Sequence, residues 1–164
     1  MLDQKSHQLH PFPPLFNAES DKLILGSFPS VKSRENLFFY GHPQNRFWKV
    51  IAALFDADIP TTVDEKKSLI LSNRLALWDV IAECEIVGSS DASIRHVRAN
   101  DLTVILAHSQ VSQIFVNGKT AEKLYIRYIE PQTHIQATVL PSTSPANAAW
   151  SLERLVETWR SVLL

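Results

Sequence analysis

The chain passes from a polar loop into a helix at Gly41-His42-Pro43-Gln44-Asn45-Arg46-Phe47-Trp48. Apolar residues then recur at helical spacing, at Phe47, Val50, Ile51, Leu54 and Phe55. This spacing predicts one buried stripe on an amphipathic helix from about Gln44 to Phe55. Asn45 would then lie at the helix N-terminus, where its side chain either caps the helix or orients a water or phosphate.

Short apolar segments on either side of this helix predict the strands of a sheet. They are residues 22–26, 75–81 (a strand or a buried turn), 114–118 and 134–140. Helical patterns occupy about 64–73, 101–108, 119–128 and 146–163, and residues 86–97 are predicted to be loop. This alternation predicts an α/β fold, a three-layer α/β/α sandwich with a short, mostly parallel central sheet.

Three of the loops that follow these strands are candidates for a binding site. If the strands are parallel, the loops after Gly26, Val80 and Leu140 meet at one sheet edge, outside the carboxyl ends where such sheets bind ligands. These loops carry few charges, and aromatic residues lie beside them. We therefore predict a pocket for a flat, neutral heterocycle that stacks on Phe28, Phe39 or Tyr40, although each aromatic could equally be a core residue.

Composition narrows the class of protein. With 164 residues and 45% hydrophobic content, the sequence predicts one domain, 1–164, whose residues 1–20 form an extended segment. A single cysteine excludes an internal disulfide, and the histidines lack metal-ligand spacing. No phosphate-loop, dinucleotide-binding or nucleophile-elbow motif is present. The polar N-terminus has no signal-peptide core, which favours a cytosolic protein.

The net charge of −1 argues mildly against nucleic-acid binding. Basic residues nevertheless cluster within 18 positions around the central loop, at Lys32, Arg34, His42, Arg46 and Lys49. This cluster either meets a phosphate backbone or is a solvated surface.

The central run, residues 41–50, resembles the second motif of the uracil-DNA glycosylase superfamily, whose mismatch-specific branch carries a near-identical His-Pro-x-Asn-Arg-Phe-Trp-Lys-Val sequence. Gly26-Ser27-Phe28-Pro29-Ser30 resembles the first motif, and Leu140-Pro141-Ser142-Thr143-Ser144-Pro145-Ala146-Asn147 resembles the last. Order and spacing agree across about residues 22–163. Phe28 stands where many members have Asp or Asn, and Leu140 where many have His or Asn. These two departures resemble the hypoxanthine-specific branch.

The resemblance implies a DNA repair enzyme that flips a deaminated base, chiefly hypoxanthine, and hydrolyses its N-glycosidic bond. Asn45 is the implied catalytic residue, which would orient water toward C1′. The implied base-binding residues are Gly26, Ser27, Phe28, Phe39, Tyr40, His42, Trp78 and Asp79. The implied DNA-binding residues are Pro29, Ser30, Arg46, Ser142, Thr143, Ser144, Pro145 and Asn147, with the N-terminus of the last helix helping to hold phosphates.

The same resemblance implies no metal and no cofactor, because neither is needed for this hydrolysis. The expected partner is double- or single-stranded DNA that contains a deaminated base. We expect a monomer without membrane contact, in the cytoplasm and active at a bacterial nucleoid. The alternatives are a uracil- or mismatch-specific glycosylase, a non-catalytic nucleic-acid-binding module of the same fold, and a generic flavodoxin-like ligand domain.

Overall fold

The computed structural model describes residues 5–164 and contains two sheets. A four-stranded parallel sheet has the order β3-β2-β6-β7, and a three-stranded antiparallel sheet has the order β1-β4-β5. The strands are β1 Lys5–Leu9, β2 Lys22–Gly26, β3 Leu75–Asp79, β4 Ile81–Val87, β5 Arg95–Ala99, β6 Gln113–Asn117 and β7 Ala137–Leu140. The helices are α1 Val31–Asn36, α2 Phe47–Leu54, α3 Val63–Ser72, α4 Thr103–Leu106, α5 Lys119–Tyr128, α6 Glu130–Thr133 and α7 Leu152–Leu163.

The parallel sheet forms the centre of the core. Its inner strands are apolar on both faces: residues 23–25 of β2 and 114–116 of β6 are almost completely buried. Strands covered by helices on both faces have this continuous apolar character. Helix α3 packs against β3, α5 against β6, and α7 against both β7 and α2. The predicted α/β fold with a short, mostly parallel central sheet is confirmed.

The antiparallel sheet corrects one prediction, because residues 86–97 are not a loop. Strand β4 continues to Val87, a 3₁₀ turn occupies Asp91–Ser93, and β5 begins at Arg95. Glu83 and Glu85, on the outer face of β4, pair with basic side chains of β1 and β5 at 2.6–3.0 Å. Such cross-strand charge pairs stabilise a strand whose sequence looks polar.

Two helices begin later than the sequence pattern predicts. Helix α2 begins at Phe47 rather than about Gln44, because residues 42–45 form a turn closed by an Asn45 N–H to His42 carbonyl bond of 3.0 Å. Helix α7 begins at Leu152 rather than about Ala146, and the Ser151 side chain caps it by accepting from the Arg154 N–H at 3.1 Å. Both changes lengthen loops that line the site.

Helix α2 is anchored in the core by its first residue. Phe47 is completely buried, and its ring packs edge to face against Trp159 of α7 with 5.9 Å between ring centroids. The predicted apolar stripe is therefore buried between α7 and the sheet, and it fixes the polar loop before α2 over the carboxyl ends of the strands. None of the helices in the described residues is long and apolar enough to span a bilayer.

Candidate active site

A cavity of about 330 Å³ opens at the carboxyl ends of the parallel strands. Its volume lies within the usual range for small-molecule sites, about 300–1,000 Å³. The strand-exit loops, the segment before α2 and the turn after β4 all contribute to its wall. The lining residues are Gly26, Ser27, Phe28, Pro29, Ser30, Ser33, Phe39, Tyr40, His42, Asn45, Asp79, Ser89, Asp91, Asn117, Ser142, Thr143, Ser144, Pro145 and Ala146.

Sheet register brings the predicted strand ends together. Gly26 at the end of β2 is opposite Asp79 at the end of β3, and Asn117 at the end of β6 is opposite Leu140 at the end of β7. All these pairs are parallel, so the following loops leave from the same edge. Asn45 lines the same cavity, although it lies on a separate loop.

Asn45 is held at the entry to α2. Its side-chain oxygen accepts a hydrogen bond from the Phe47 N–H at 3.0 Å. A carbonyl oxygen has two lone pairs, so this capping bond leaves one acceptor position that can serve a water or a ligand. The structure shows the first of the two roles that the sequence left as alternatives, a hydrogen bond to the start of α2, and this bond is compatible with the second.

His42 presents a donor to the same cavity. Its Nδ1 accepts a hydrogen bond from the Gln44 N–H at 3.1 Å. A ring nitrogen that accepts cannot carry a proton, so the proton of the neutral ring lies on Nε2. The side chain is half-buried in the lining, where that N–H can meet a base edge or a phosphate oxygen.

Tyr40 joins the aromatic wall to the polar floor. Its ring stacks on Phe47 with 3.9 Å between centroids and 15° between planes, so one face is covered. Its backbone φ is +52°, a conformation that non-glycine residues rarely adopt. Burial, together with the Asp79 carboxylate, raises the pKa of Tyr40 well above its ordinary value, so the phenol stays protonated.

Asp79 is buried on the floor of the cavity beside Gly26. A β-carbon added to Gly26 would collide with the Oδ1 of Asp79, so the close approach of the carboxylate requires glycine here. The other carboxylate oxygen, Oδ2, lies 2.8 Å from Nε2 of His10. Their side chains are only 6% and 4% exposed, respectively.

Asp91 forms part of the cavity wall opposite the last loop. Its Oδ1 accepts from the Ser27 hydroxyl at 3.0 Å, which links the first motif to the antiparallel sheet. Residue 91 is exposed overall, yet neighbouring atoms desolvate its carboxylate enough to raise the pKa of Asp91, and Asp79 adds to this effect.

Several functional candidates escape the sequence reasoning. Asn117 accepts from the Thr143 N–H at 3.1 Å and donates to the Thr143 hydroxyl at 3.0 Å and the Tyr40 hydroxyl at 3.4 Å. The sequence did carry one signal for Asn117 as a site residue, because Asn117 ends a predicted strand immediately before Gly118. Ser33 in the lining and His10 beneath the floor show no comparable local signal. Ser89 and Asp91 belong to residues 86–97, whose polar side chains are expected from the sequence either to approach a ligand or to face water, and the structure places both in the lining.

Four predicted site residues have other roles in the structure. Trp78 is absent from the cavity lining, because it precedes Asp79 on β3 and successive strand side chains face opposite ways. Thr143 is completely buried, and its hydroxyl is engaged by Asn117, so it supports the loop rather than facing a DNA backbone. Asn147, also outside the lining, donates its amide to the Ser142 carbonyl at 3.0 Å.

Arg46 is the fourth predicted site residue that has another role in the structure. Its guanidinium donates to the backbone carbonyls of Ser144, Asn147 and Trp150, and its own N–H donates to the Thr143 carbonyl at 3.0 Å. It therefore connects the segment before α2 to the loop after β7. The N-terminus of α7 is likewise not the phosphate site expected at residues 142–147, because α7 begins only at Leu152.

The polar groups that line the cavity are amides, hydroxyls, the His42 imidazole and the carboxylates of Asp79 and Asp91. In residues 5–164, no group of three or more His, Cys, Asp or Glu side chains is arranged to hold a metal ion. His10 and Asp79 are two side chains that could each bind a metal ion, but they form a hydrogen bond with each other.

Residues 13–163 match the family model of the uracil DNA glycosylase superfamily. The chain belongs to this superfamily. The matched residues include every residue that lines the cavity and all three motif segments.

Members with curated names are also similar to the chain. A protein of Methanosarcina acetivorans named hypoxanthine DNA glycosylase is 32% identical over 92% of this chain and 95% of its own length. A protein of the same name from Methanosarcina barkeri is 27% identical over 66% of this chain and 70% of its own length.

One solved member has the same fold. The solution structure of a Methanosarcina acetivorans protein, provisionally described as a uracil DNA glycosylase, superposes with a TM-score of 0.78 and 29% sequence identity. The superposition covers 99% of this chain and 96% of that one. Both sheets and the loops around the cavity therefore lie within the shared structure.

Proposed function

We propose that this chain is a DNA glycosylase that hydrolyses the N-glycosidic bond of a flipped, deaminated base, hypoxanthine in particular, and leaves an abasic site. The observation that carries this proposal is the presence of Asn45 in the same cavity as the carboxyl ends of β2, β3 and β6. The names of the two Methanosarcina relatives support hypoxanthine as the base.

The base would enter the cavity after leaving the duplex stack. Flipping costs a few kcal/mol, and least for a mispaired base such as hypoxanthine opposite thymine. Phe28 and Phe39 offer aromatic surface for stacking, whereas Tyr40 offers one face only, since Phe47 covers the other. Ser27, His42 and Asp79 supply donors and acceptors for the base edges.

Hydrolysis needs a water directed at C1′ of the sugar. The free lone pair of the Asn45 side-chain oxygen would accept a hydrogen bond from that water and aim its oxygen at C1′. An amide is too weak a base to remove a proton, so Asn45 acts by positioning. As the new C–O bond forms, the C1′–N9 bond breaks, the purine leaves with the bonding electrons, and the proton from water passes to solvent.

Stabilisation of the leaving purine is the second catalytic task. Backbone N–H groups near Ser27 and Phe28 are our candidates for donors to the departing base, together with Nε2–H of His42. Among residues 5–164, no lysine lines the cavity, so none of its lining side chains offers an amine that could form a Schiff base with the sugar. We therefore propose a monofunctional glycosylase that does not cleave the strand.

The mouth of the cavity would contact the DNA backbone. Ser30, Ser142 and Ser144 lie at the lining with hydroxyl groups, and Pro145 is exposed beside them. Hydroxyls and backbone N–H groups position phosphates without reading sequence. The exposed part of residues 143–147 would occupy the gap that the flipped nucleotide leaves. We place this activity in the cytoplasm, at the nucleoid, on a monomeric enzyme.

The test is incubation of the purified chain with duplexes that each contain one inosine, uracil, xanthine or undamaged adenine, followed by alkali cleavage of abasic sites. We expect release of hypoxanthine and no release of adenine. Cleavage without alkali should not occur. Release of uracil alone would indicate a uracil-specific glycosylase instead. Binding of the duplexes without release of any base would contradict the proposed glycosylase activity.

A further inference from the structure

The N-terminal segment places one histidine directly beneath the base-binding floor. His10 follows β1, and its backbone N–H donates to the Ala82 carbonyl at 2.8 Å. Its ring lies 4.5 Å from Phe12 and 6.1 Å from Phe28, measured between ring centroids. The imidazole is thus fixed in an aromatic surround from which water is largely excluded.

Both ring nitrogens of His10 face oxygen atoms. Nδ1 lies 2.8 Å from the Phe12 carbonyl oxygen, and Nε2 lies 2.8 Å from Oδ2 of Asp79. A backbone carbonyl can only accept, so Nδ1 must carry a proton and donate it. One further proton then occupies the Nε2–Oδ2 bond, either on the imidazole or on the carboxyl group. In both arrangements, the hydrogen bond to His10 engages Oδ2.

The second oxygen of Asp79 is left for the cavity. Among the hydrogen bonds of residues 5–164, Oδ1 accepts none. It adjoins the Cα of Gly26, where the missing side chain keeps the approach open. Because the proton shared with His10 is held at Oδ2, Oδ1 keeps its lone pairs and acts only as an acceptor.

An acceptor at this position distinguishes hypoxanthine from adenine, the base from which deamination forms it. N1 of adenine carries a lone pair, whereas N1 of hypoxanthine carries a hydrogen. Oδ1 can accept that N1–H, but it would repel the lone pair of adenine and remain unpaired. Sites built around a substrate hydrogen bond can reject the analogue that lacks it by factors of about 10⁴–10⁵.

We propose that His10 is a positioning residue for specificity: it holds Asp79 so that Oδ1 reads the N1–H of a flipped deaminated purine and excludes adenine. This assignment rests on the proposed glycosylase function. It gives the N-terminal segment a direct part in substrate selection.

The test compares two purines that differ at N1. Single-turnover excision is measured on duplexes with deoxyinosine and with the deoxyriboside of unsubstituted purine, whose N1 is an acceptor. The ratio of the two rates is the preference, and spontaneous hydrolysis of each nucleoside corrects for leaving-group differences. His10→Ala is expected to lower the preference at least about tenfold, and Asp79→Leu about 100-fold, because leucine occupies a similar volume without any acceptor.

Controls separate positioning from folding. His10→Gln retains a side-chain donor for Asp79 and should recover part of the preference that His10→Ala loses. His7→Ala removes a histidine from β1, the strand that precedes His10. His7 is an exposed partner of Glu83 at 2.7 Å, so this change should leave the preference unchanged. If Asp79→Leu fails to fold, as judged by circular dichroism, the corrected wild-type preference decides, and a value near one overturns the assignment.

The outcomes distinguish the two proposals. Wild-type excision of hypoxanthine with an unchanged preference in both His10→Ala and folded Asp79→Leu would overturn the role of the pair alone. Absence of any base release by the wild type would overturn the glycosylase function, and the specificity role with it.

Discussion

At the scale of single residues, the amide of Asn45 has a capping bond and a free acceptor position, which is what the proposed water-positioning role requires. The Phe47 N–H occupies one lone pair of its side-chain oxygen, and the other remains available in the cavity. The capping bond limits the rotation of the amide. Pre-set orientation of this kind lowers the entropy cost of placing a water for attack. Helix capping is therefore compatible with water positioning, and it favours that proposed role.

Gly26 offers a sharp test at the same scale. A methyl group at this position would collide with Oδ1 of Asp79, whose side chain is fixed by His10. We expect Gly26→Ala to displace Asp79 and to reduce hypoxanthine excision by about 100-fold or more, a loss typical of misplaced site groups. Single-turnover excision measures the loss, and thermal melting shows how much of it comes from folding. An excision rate equal to the wild type would contradict the geometry described for the floor.

At the scale of elements, Arg46 joins two loops that are distant in sequence. Its guanidinium bonds three carbonyls of the loop after β7, while its neighbours Asn45 and Phe47 belong to the cavity and the core. A planar fork of donors suits several carbonyls at once, and an ammonium group does not. The Arg46 guanidinium was predicted to contact DNA, but it instead stabilises the loop after β7, which we propose contacts DNA.

Arg46→Lys should therefore be far from conservative. We expect a loss of about 2 kcal/mol in the free energy of unfolding, the scale of one or two charge-assisted hydrogen bonds. Excision should fall with it, because residues 142–147 lose their support. Chemical denaturation measures the first effect. Lys49→Ala, an exposed basic site one turn along α2, is the control and should change stability by less than about 0.5 kcal/mol. Equal effects of the two substitutions would contradict the bridging role of Arg46.

The elements also show what sequence patterns can predict. The strands β2, β3 and β6 appear as short apolar runs, because burial on both faces requires such runs. Strands β4 and β5 do not, because Glu83 and Glu85 look like loop residues until their basic partners on other strands are known. The pairing of His10 with Asp79 spans 69 positions, which no local pattern reveals.

At the scale of the whole molecule, the candidate site was predictable in outline. The strand-exit rule and the motif resemblance placed Asn45, Tyr40 and the loop after Leu140 at one edge, and the cavity gathers all three regions. Side-chain roles were less predictable. Thr143 and Arg46 lie in the expected loops, but tertiary hydrogen bonds turn them toward the protein. Motif membership therefore places a residue near the site without fixing what it contacts.

The overall charge distribution predicts weak salt dependence of DNA binding. Arg34 donates to the Gly88 carbonyl at 2.7 Å, Lys32 pairs with Glu35 at 3.5 Å, and Arg46 bonds the last loop. Few cations of the basic cluster thus remain for phosphates, and each neutralised phosphate contributes about −0.9 to the slope of log K against log salt. We expect a slope shallower than about −3, measured by fluorescence anisotropy with an abasic-site duplex. A slope steeper than about −5 would mean a cationic DNA interface that this structure lacks in its described residues.

The most direct test of the central claim is single-turnover excision of hypoxanthine by Asn45→Ala and by the wild type, with affinity for the abasic product duplex measured in parallel. If Asn45 positions the attacking water, the excision rate should fall by about 100-fold or more, while product affinity stays at the wild-type level. Excision by the variant at the wild-type rate would contradict the account.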